Sequence, residues 1–339
     1  MANLVTGATG ILGSHVVLAL LQKGRKVVAS KQPNSDLSKI KTLFSYYGNE
    51  ALRLYESITW VDLDVRDQLM IEDALEGIDT VYHCAGFVSF NRNERKKMMD
   101  INEQGTRNMV NACLHKNIDA LCHVSSLATI NNLDYTEALT EQVFWKTSGH
   151  ESAYAISKYN AEREVWRGIE EGLRAVIVNP GVILSPGFGE QSSARLFETC
   201  AKGNWFYTGG TTGYVSAADV AGCMLELTDT RQFGNRYIVI ENNYAFKDIF
   251  TTVQAGFHKA PPFIKAGKWV LNLAWVADSL WSFVRGKNAT VTRAIIQSSL
   301  NKQVYSNAKL LRTITFPLQP VHEVIANICK IALREKSRN

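Results

Sequence analysis

The sequence predicts an α/β protein: a doubly wound parallel sheet with a smaller C-terminal lobe. Three observations carry this. Over residues 1–180, short β-branched runs alternate with longer amphipathic stretches, and such alternation calls for parallel strands joined by crossover helices. A glycine-rich turn joins the first strand to the first helix. At Pro180-Gly181 and again at Pro186-Gly187-Phe188-Gly189 the rhythm breaks, and the repeat of strand and helix does not resume.

The expected strands are Asn3 to Thr6, Lys26 to Ser30, Thr59 to Leu63, Thr80 to Cys84, Leu121 to Ser125 and Ala175 to Asn179. Between them lie the expected helices Ile11 to Lys23, Asp67 to Leu75, Glu94 to His115 and Ser152 to Glu171. Beyond the break, Arg236 to Ile240 again reads as a strand. No repeat or low-complexity linker separates the two parts, so they are expected to fold as one unit.

A hydrophobic fraction of 46% with 20% charged residues excludes disorder, collagen and coiled coil. The net charge of +5 is mild for 339 residues and its basic residues are scattered, which argues against nucleic acid as a partner. Six cysteines stand mostly in apolar stretches and never as C-x-x-C, the pattern of reduced thiols in a cytoplasmic protein. The seven histidines form no cluster with ligand spacing, so no metal is expected. The start of the chain has neither the basic nor the apolar region of a secretory signal. From Phe263 to Val284 the chain is rich in tryptophan, but Lys265, Lys268, Asn272 and Asp278 interrupt it, so no transmembrane segment is expected. Its residues Trp269, Leu273, Val276, Leu280 and Val284 recur at helical spacing, which favours burial of one helix face over rest on a membrane surface.

In the turn Thr6-Gly7-Ala8-Thr9-Gly10-Ile11-Leu12-Gly13 the glycines are three apart, where the dinucleotide fingerprint reads G-x-G-x-x-G. The chemistry is similar: a tight turn, close backbone approach to a pyrophosphate, and a helix N-terminus with free N–H groups. Gly7, Thr9, Gly10, Ile11, Leu12 and Gly13 are therefore cofactor-binding candidates in a Rossmann fold. An acid at the end of the second strand would bind the ribose hydroxyls of NAD(H), but Ser30-Lys31-Gln32 stands there. A cation with two neutral donors suits a 2′-phosphate better, so NADP(H) is favoured and NAD(H) is the alternative. On this map residues 1–180 form the dinucleotide-binding domain, with 214–245 partly returning to it. Residues 181–213 and 246–339 form the substrate-binding lobe.

A tyrosine four residues before a lysine puts both on one helix face. With 12 tyrosines in the chain, chance alone supplies this spacing about once. It occurs twice, as Tyr154…Lys158 and Tyr305…Lys309. Tyr154 opens a long helix that follows the strand ending Val124-Ser125-Ser126, at the sheet edge where open α/β sheets bind ligands, whereas Tyr305 lies in the irregular lobe.

With glycine turn, strand-borne serine and Tyr-x-x-x-Lys in this order, the chain resembles the extended short-chain dehydrogenase/reductase superfamily, which includes the NAD-dependent epimerases and dehydratases. More closely it resembles the group of dihydroflavonol 4-reductase-like and 3β-hydroxysteroid dehydrogenase-like enzymes. Asp64-Val65, His83-Cys84-Ala85-Gly86, Asn102 with Gly105-Thr106, Asn179-Pro180-Gly181-Val182 and Tyr214 to Ala221 match family segments, and Tyr305 to Lys309 matches a non-catalytic one. The resemblance implies cofactor contacts at Ser30, Lys31, Gln32, Asp64, Val65, Ala85, Gly86, Asn102, Tyr154, Lys158, Pro180 and Val182. It implies catalysis by Ser126, Tyr154 and Lys158. Lys158 would favour the Tyr154 phenolate, Tyr154 would exchange a proton with the substrate oxygen, and Ser126 would hold that oxygen. The resemblance also favours Ser126 over Ser125, since the family's active serine is the last before the small-residue stretch, here beginning at Leu127; neighbours on a strand face opposite ways, so only one of the two can point at the substrate.

Sugar 4,6-dehydratases of the superfamily carry Asp-Glu after the active hydroxyl, where Leu127-Ala128 stands here, so that chemistry is not expected. The leading expectation is an NADP(H)-dependent oxidoreductase interconverting a secondary alcohol and a ketone. The alternative is an NAD(P)-dependent nucleoside-diphosphate-sugar epimerase, for which Arg195 and Lys202 are the nearby cations. A non-catalytic nucleotide sensor is a third reading, disfavoured by retention of Ser126, Tyr154 and Lys158. By analogy, a homodimer would form through the helices Glu94 to His115 and Ser152 to Glu171.

Overall fold

The computed structural model describes residues 2–89, 91–130, 137–147, 149, 151–187, 192–271, 296 and 299–337. The strands in chain order are β1 (Ala2–Thr6), β2 (Lys26–Lys31), β3 (Thr59–Asp62), β4 (Thr80–His83), β5 (Ala120–Val124) and β6 (Ala175–Pro180). They continue with β7 (Val182–Leu184), β8 (Phe206–Tyr207), β9 (Thr211–Ser216), β10 (Asn235–Val239), β11 (Asn242–Ala245) and β12 (Ile264–Lys265). Seven of them form one sheet in the order β3-β2-β1-β4-β5-β6-β10, with every neighbouring pair parallel. The direction of strand succession reverses between β1 and β4, and a crevice opens at the carboxyl ends there.

Alternation along β1 decides the two layers. Leu4 joins the core that holds Val81, Leu121, Ile177, Met109 and Val165, while its neighbour Val5 joins the core of Val16, Leu20, Val178 and Met224. Helix α1 (Ile11–Gln22) is apolar almost all round because it lies between the sheet and a helix from late in the chain, Ala217–Asp229. A third core, around Leu184, Phe197, Tyr214, Ile249, Val253, Ile325 and Ile328, holds the C-terminal part together. There β9 pairs parallel with β7 and antiparallel with β11.

Three expectations changed. Two short helices, α2 (Ser38–Tyr46) and α3 (Asn49–Tyr55), follow β2 in a stretch where no helix was expected, before α4 (Gln68–Ala74). The single helix expected from Glu94 to His115 is built instead from α5 (Arg95–Met98), a π-helical segment Met99–Gln104 and α6 (Gly105–His115). Contacts distant in sequence hold it: Asn102 turns inward to bond Phe87 and Ser157, and Gly105 sits so close to Val65 that an added Cβ would lie 2.6 Å from its Cγ2. Such π segments recur at functional sites. Third, Trp269 was expected on a buried helix face, yet it is 85% exposed; the rest of that pattern, from 272 on, lies outside the described residues.

The remaining described α-helices are α7 (Ala153–Glu170), α8 (Ser192–Lys202), α9 (Ala217–Asp229) and α10 (Phe246–Gly256), followed by a short helix Ala308–Leu311 and a C-terminal helix Val321–Lys336. None of the described helices is long and apolar enough to cross a membrane.

Candidate active site

The glycine turn is fixed by its own packing. Gly7 has φ +63°, and a Cβ there would lie 2.7 Å from the backbone of Ala85, while one on Gly13 would lie 2.2 Å from the Gly7 carbonyl oxygen. Gly10 differs: a Cβ there would meet only the Gly7 oxygen, at 3.2 Å, so that side of the turn is open. Gly10 also caps α1 with no side-chain hydrogen bond and with no acidic residue in the first turn, which leaves the N–H groups of Ile11, Leu12 and Gly13 for an anion. These features fit the pyrophosphate of a dinucleotide.

At the end of β2, the Ser30 hydroxyl is buried and accepts the Gly7 N–H at 3.2 Å. Ser30 therefore ties β2 to the turn and keeps its hydroxyl proton for a further acceptor. Lys31 forms an ion pair with Asp62, its neighbour across the β2–β3 register, and Gln32 is exposed. The Asp64 carboxylate is gripped by Arg66, which holds it below the usual carboxylate range. Val65 is buried, and its carbonyl accepts the Asn108 amide at 3.1 Å.

Beyond β4, Thr6 Oγ1 contacts His83 Nδ1 at 2.8 Å and accepts the Ala85 N–H at 3.1 Å. His83 also reaches Thr106, so the turn, β4 and α6 share one buried polar chain. Asn102 accepts the Phe87 N–H and donates to the Phe87 carbonyl and the Ser157 hydroxyl. Its carboxamide is thus engaged within the protein; Asn102 holds the wall at Gly86 and Phe87, and its side chain is not a free cofactor contact.

The catalytic candidates come together at the ends of β5 and α7. Ser152 caps α7 by accepting the Ala155 N–H, which sets Tyr154 in the first turn and Lys158 one turn further on. Ser126 lies near enough to the Tyr154 phenol to affect its ionisation. Burial raises the Tyr154 phenol above its ordinary value, the nearby Ser126 hydroxyl opposing the shift, so the protonated phenol is favoured. Lys158 is buried, donates to the Val124 carbonyl at 2.6 Å, and is lowered to about 8 by burial. A Cβ on Gly86 would lie 3.8 Å from its ammonium.

Ser125 and Ser126 divide as alternation requires. Ser125 donates to Glu162 at 2.6 Å, while Ser126 caps the turn Leu127–Thr129 by accepting the Ala128 N–H. Glu162 was not singled out from the sequence. Although burial disfavours its charge, the adjacent Arg236 and the hydrogen bonds from Ser125, Arg236 and Asn179 keep it ionised. Asn179 also donates to the Ser126 carbonyl, so Glu162 anchors the loop that presents Ser126. A carboxylate one turn beyond Lys158 was the available signal; its partners, up to 74 residues away, were not.

Pro180 ends β6 and Val182 begins β7, with Gly181 so close to Gly213 that a Cβ would lie 2.3 Å from its oxygen. Tyr305 is buried, donates to Gln303 and bonds Asn243 through its backbone, while Lys309 holds Asn235 and the Arg236 carbonyl. Both side chains are engaged by partners within the protein. Arg195 and Lys202 are exposed on α8. A cavity of about 520 Å³ lies between α8, α10 and the C-terminal helix, and none of Ser126, Tyr154 and Lys158 lines it.

The family model described as "NAD dependent epimerase/dehydratase family" matches residues 3–239. The chain belongs to this family. It is thus an NAD(P)-dependent enzyme of the extended short-chain dehydrogenase/reductase superfamily. It is similar to sterol demethylase protein B of Methylococcus capsulatus, 31% identical over 244 residues that cover 70% of this chain and 69% of that one. It is also similar to a putative dihydroflavonol 4-reductase of Synechocystis, 24% identical with 95% and 92% covered. Among solved structures, UDP-glucose 4-epimerase of Thermus thermophilus in complex with NAD superposes with a TM-score of 0.73 at 20% identity, covering 97% of this chain and 98% of that one. The superposition establishes a shared fold with the family's seven-stranded parallel sheet.

Proposed function

We propose that the protein is an NADP(H)-dependent oxidoreductase that interconverts a secondary alcohol and a ketone, with Tyr154 as general acid/base. The observation that carries this reading is the convergence of Ser126, just beyond β5, with Tyr154 and the buried Lys158 on one face of α7, the Lys158 ammonium reaching the Val124 carbonyl at the end of that strand. A bound nicotinamide dinucleotide supplies or accepts the hydride. The N–H groups opening α1 hold its pyrophosphate. Ser126 donates to the substrate oxygen. Tyr154, kept protonated by burial, delivers its proton to the same oxygen as a ketone is reduced, and the Lys158 ammonium then stabilises the phenolate left behind.

Lys31 supports NADP(H), since a 2′-phosphate can compete with Asp62 for its ammonium. One observation favours the second reading, an NAD-dependent sugar-nucleotide epimerase: Asp62, across the register from Lys31, offers a carboxylate beside the end of β2 as an acceptor for ribose hydroxyls. The names of the similar proteins, a sterol demethylase component and a dihydroflavonol reductase, point towards a bulky apolar substrate. The deciding experiment incubates the protein with ketones, alcohols and sugar nucleotides and follows NADPH absorbance. Net oxidation of NADPH by a ketone supports the proposal; isomerised sugar nucleotide without net cofactor change overturns it.

A further inference from the structure

Four large aromatic side chains stand in water on one edge of the C-terminal lobe. Trp205 is 65% exposed, Phe206 44%, Phe263 70% and Trp269 85%. The first three share one rigid unit. Strands β8 and β12 pair as Ile264↔Phe206 and Lys265↔Tyr207, the Trp205 carbonyl accepts the N–H groups of Phe263 and Ile264, and the Trp205 and Phe263 rings lie 6.3 Å apart. Gln254 on α10 holds the preceding Asn204 carbonyl at 2.8 Å. Trp269 follows three residues after Ala266, whose N–H bonds the Tyr207 carbonyl, so the chain keeps it within about 11 Å of that strand.

The two segments that carry these rings hold charge of one sign. From Thr199 to Gly210 and from Phe257 to Leu271 the chain carries Lys202, Lys259, Lys265 and Lys268 and neither aspartate nor glutamate. All four lysines are exposed. A cluster of exposed aromatics is unusual on a water-facing surface and marks an interaction site. Tryptophan and phenylalanine flanked by lysine match a lipid interface, where rings enter the headgroup layer and ammonium groups meet phosphates. A second copy of this chain fits less well, because a two-fold contact through this edge would set lysines against lysines.

We propose that this edge seats the protein on the surface of an anionic lipid bilayer, with Trp205, Phe263 and Trp269 entering the interface and Lys202, Lys259, Lys265 and Lys268 holding lipid phosphates. The attachment is peripheral, as no described helix can span. It does not depend on the catalytic reading.

The test floats the full chain with vesicles of phosphatidylcholine containing about one third phosphatidylglycerol, and with phosphatidylcholine alone. The protein rises with the anionic vesicles and is released by high salt. Lys265→Gln with Lys268→Gln weakens binding about twenty-fivefold, about fivefold for each lysine. Trp205→Ser with Phe263→Ser and Trp269→Ser abolishes it, and both variants keep the parent melting temperature because the altered side chains face solvent. Quenching of tryptophan fluorescence by brominated lipid reads the same insertion in the unaltered protein. No flotation with anionic vesicles, flotation unchanged in the variants, or a dimer in sedimentation that the aromatic variant converts to monomer overturns the proposal.

Discussion

Glu162 and Arg236 form an ion pair at 2.9 Å, with 3% and 15% of their side chains exposed, and it joins the catalytic helix α7 to the last strand of the main sheet. Arg236 also holds the carbonyls of Glu141 and Val143, while Glu162 holds Ser125, Thr129 and Asn179. The pair therefore fixes the loop that presents Ser126 from both sides. Glu162→Gln leaves a buried guanidinium uncompensated, and chemical denaturation should register a loss of about 3 kcal/mol. Adding Arg236→Met should return part of it, which a double-mutant cycle measures.

Tyr154→Phe removes the proton donor while keeping the ring. Turnover should fall by roughly 10²–10⁴, with cofactor affinity and melting temperature little changed. Single-turnover kinetics separates the two effects.

Lys31→Ala should weaken NADPH binding about tenfold or more and leave NADH nearly unaffected, because one charge-assisted contact to phosphate is lost. Asp62→Asn should tighten NADPH binding by freeing the Lys31 ammonium. Titration calorimetry with both nucleotides checks the pair.

Acid should destabilise the protein well before its carboxylates titrate. Burial holds His15 down to about 4 and His83 to about 3, and it lowers His123 strongly as well, with Lys158 and His83 adding to the effect. All three are neutral in the fold. Below about 6.5 the unfolded chain takes up protons that the fold refuses, so stability falls as the pH drops from there towards the folded values. His123 is also stacked on His83 with a hydrogen-bond partner at neither ring nitrogen among the described residues. His123→Leu should be at least as stable at pH 7, and its loss between pH 7 and pH 5 should be smaller by about 2 kcal/mol in urea titrations.

Gly13→Ala puts a methyl group 2.2 Å from the Gly7 carbonyl oxygen, and backbone cannot yield as a side chain tip can. The melting temperature should drop and dinucleotide binding should be lost together. Gly24→Ala, in open space at φ +68°, should lower stability by about 1 kcal/mol and keep binding.

The sheet was legible because its strands are short β-branched runs punctuated by polar turns, and Tyr154 with Lys158 was legible because helical spacing is a local rule. The π segment was not. It arises from Asn102 reaching Phe87, and from the close approach of Gly105 to Val65, both contacts across the sheet edge. Residues named as cofactor contacts also separated once their partners were known: Ser30 and Asn102 brace the walls, while Lys31 is a cation already shared with Asp62. Glu162 escaped notice because a carboxylate on an amphipathic helix reads as solvated surface until Arg236 arrives from much later in the chain.

The pairing of β10 with β6 has a consequence for biosynthesis. During translation β6, with its apolar run Ala175–Val178, keeps one edge unpaired until Asn235–Val239 has been made. At ~5–20 residues per second the ribosome needs about 3–10 s to cross Gly181 to Gly234 and then must still extrude β10. Throughout that window the nascent chain presents a naked hydrophobic strand, the feature on which edge-to-edge aggregation begins. Slow codons placed before Asn235 would lengthen the exposure, and the yield of folded enzyme should depend on chaperones that shield this strand.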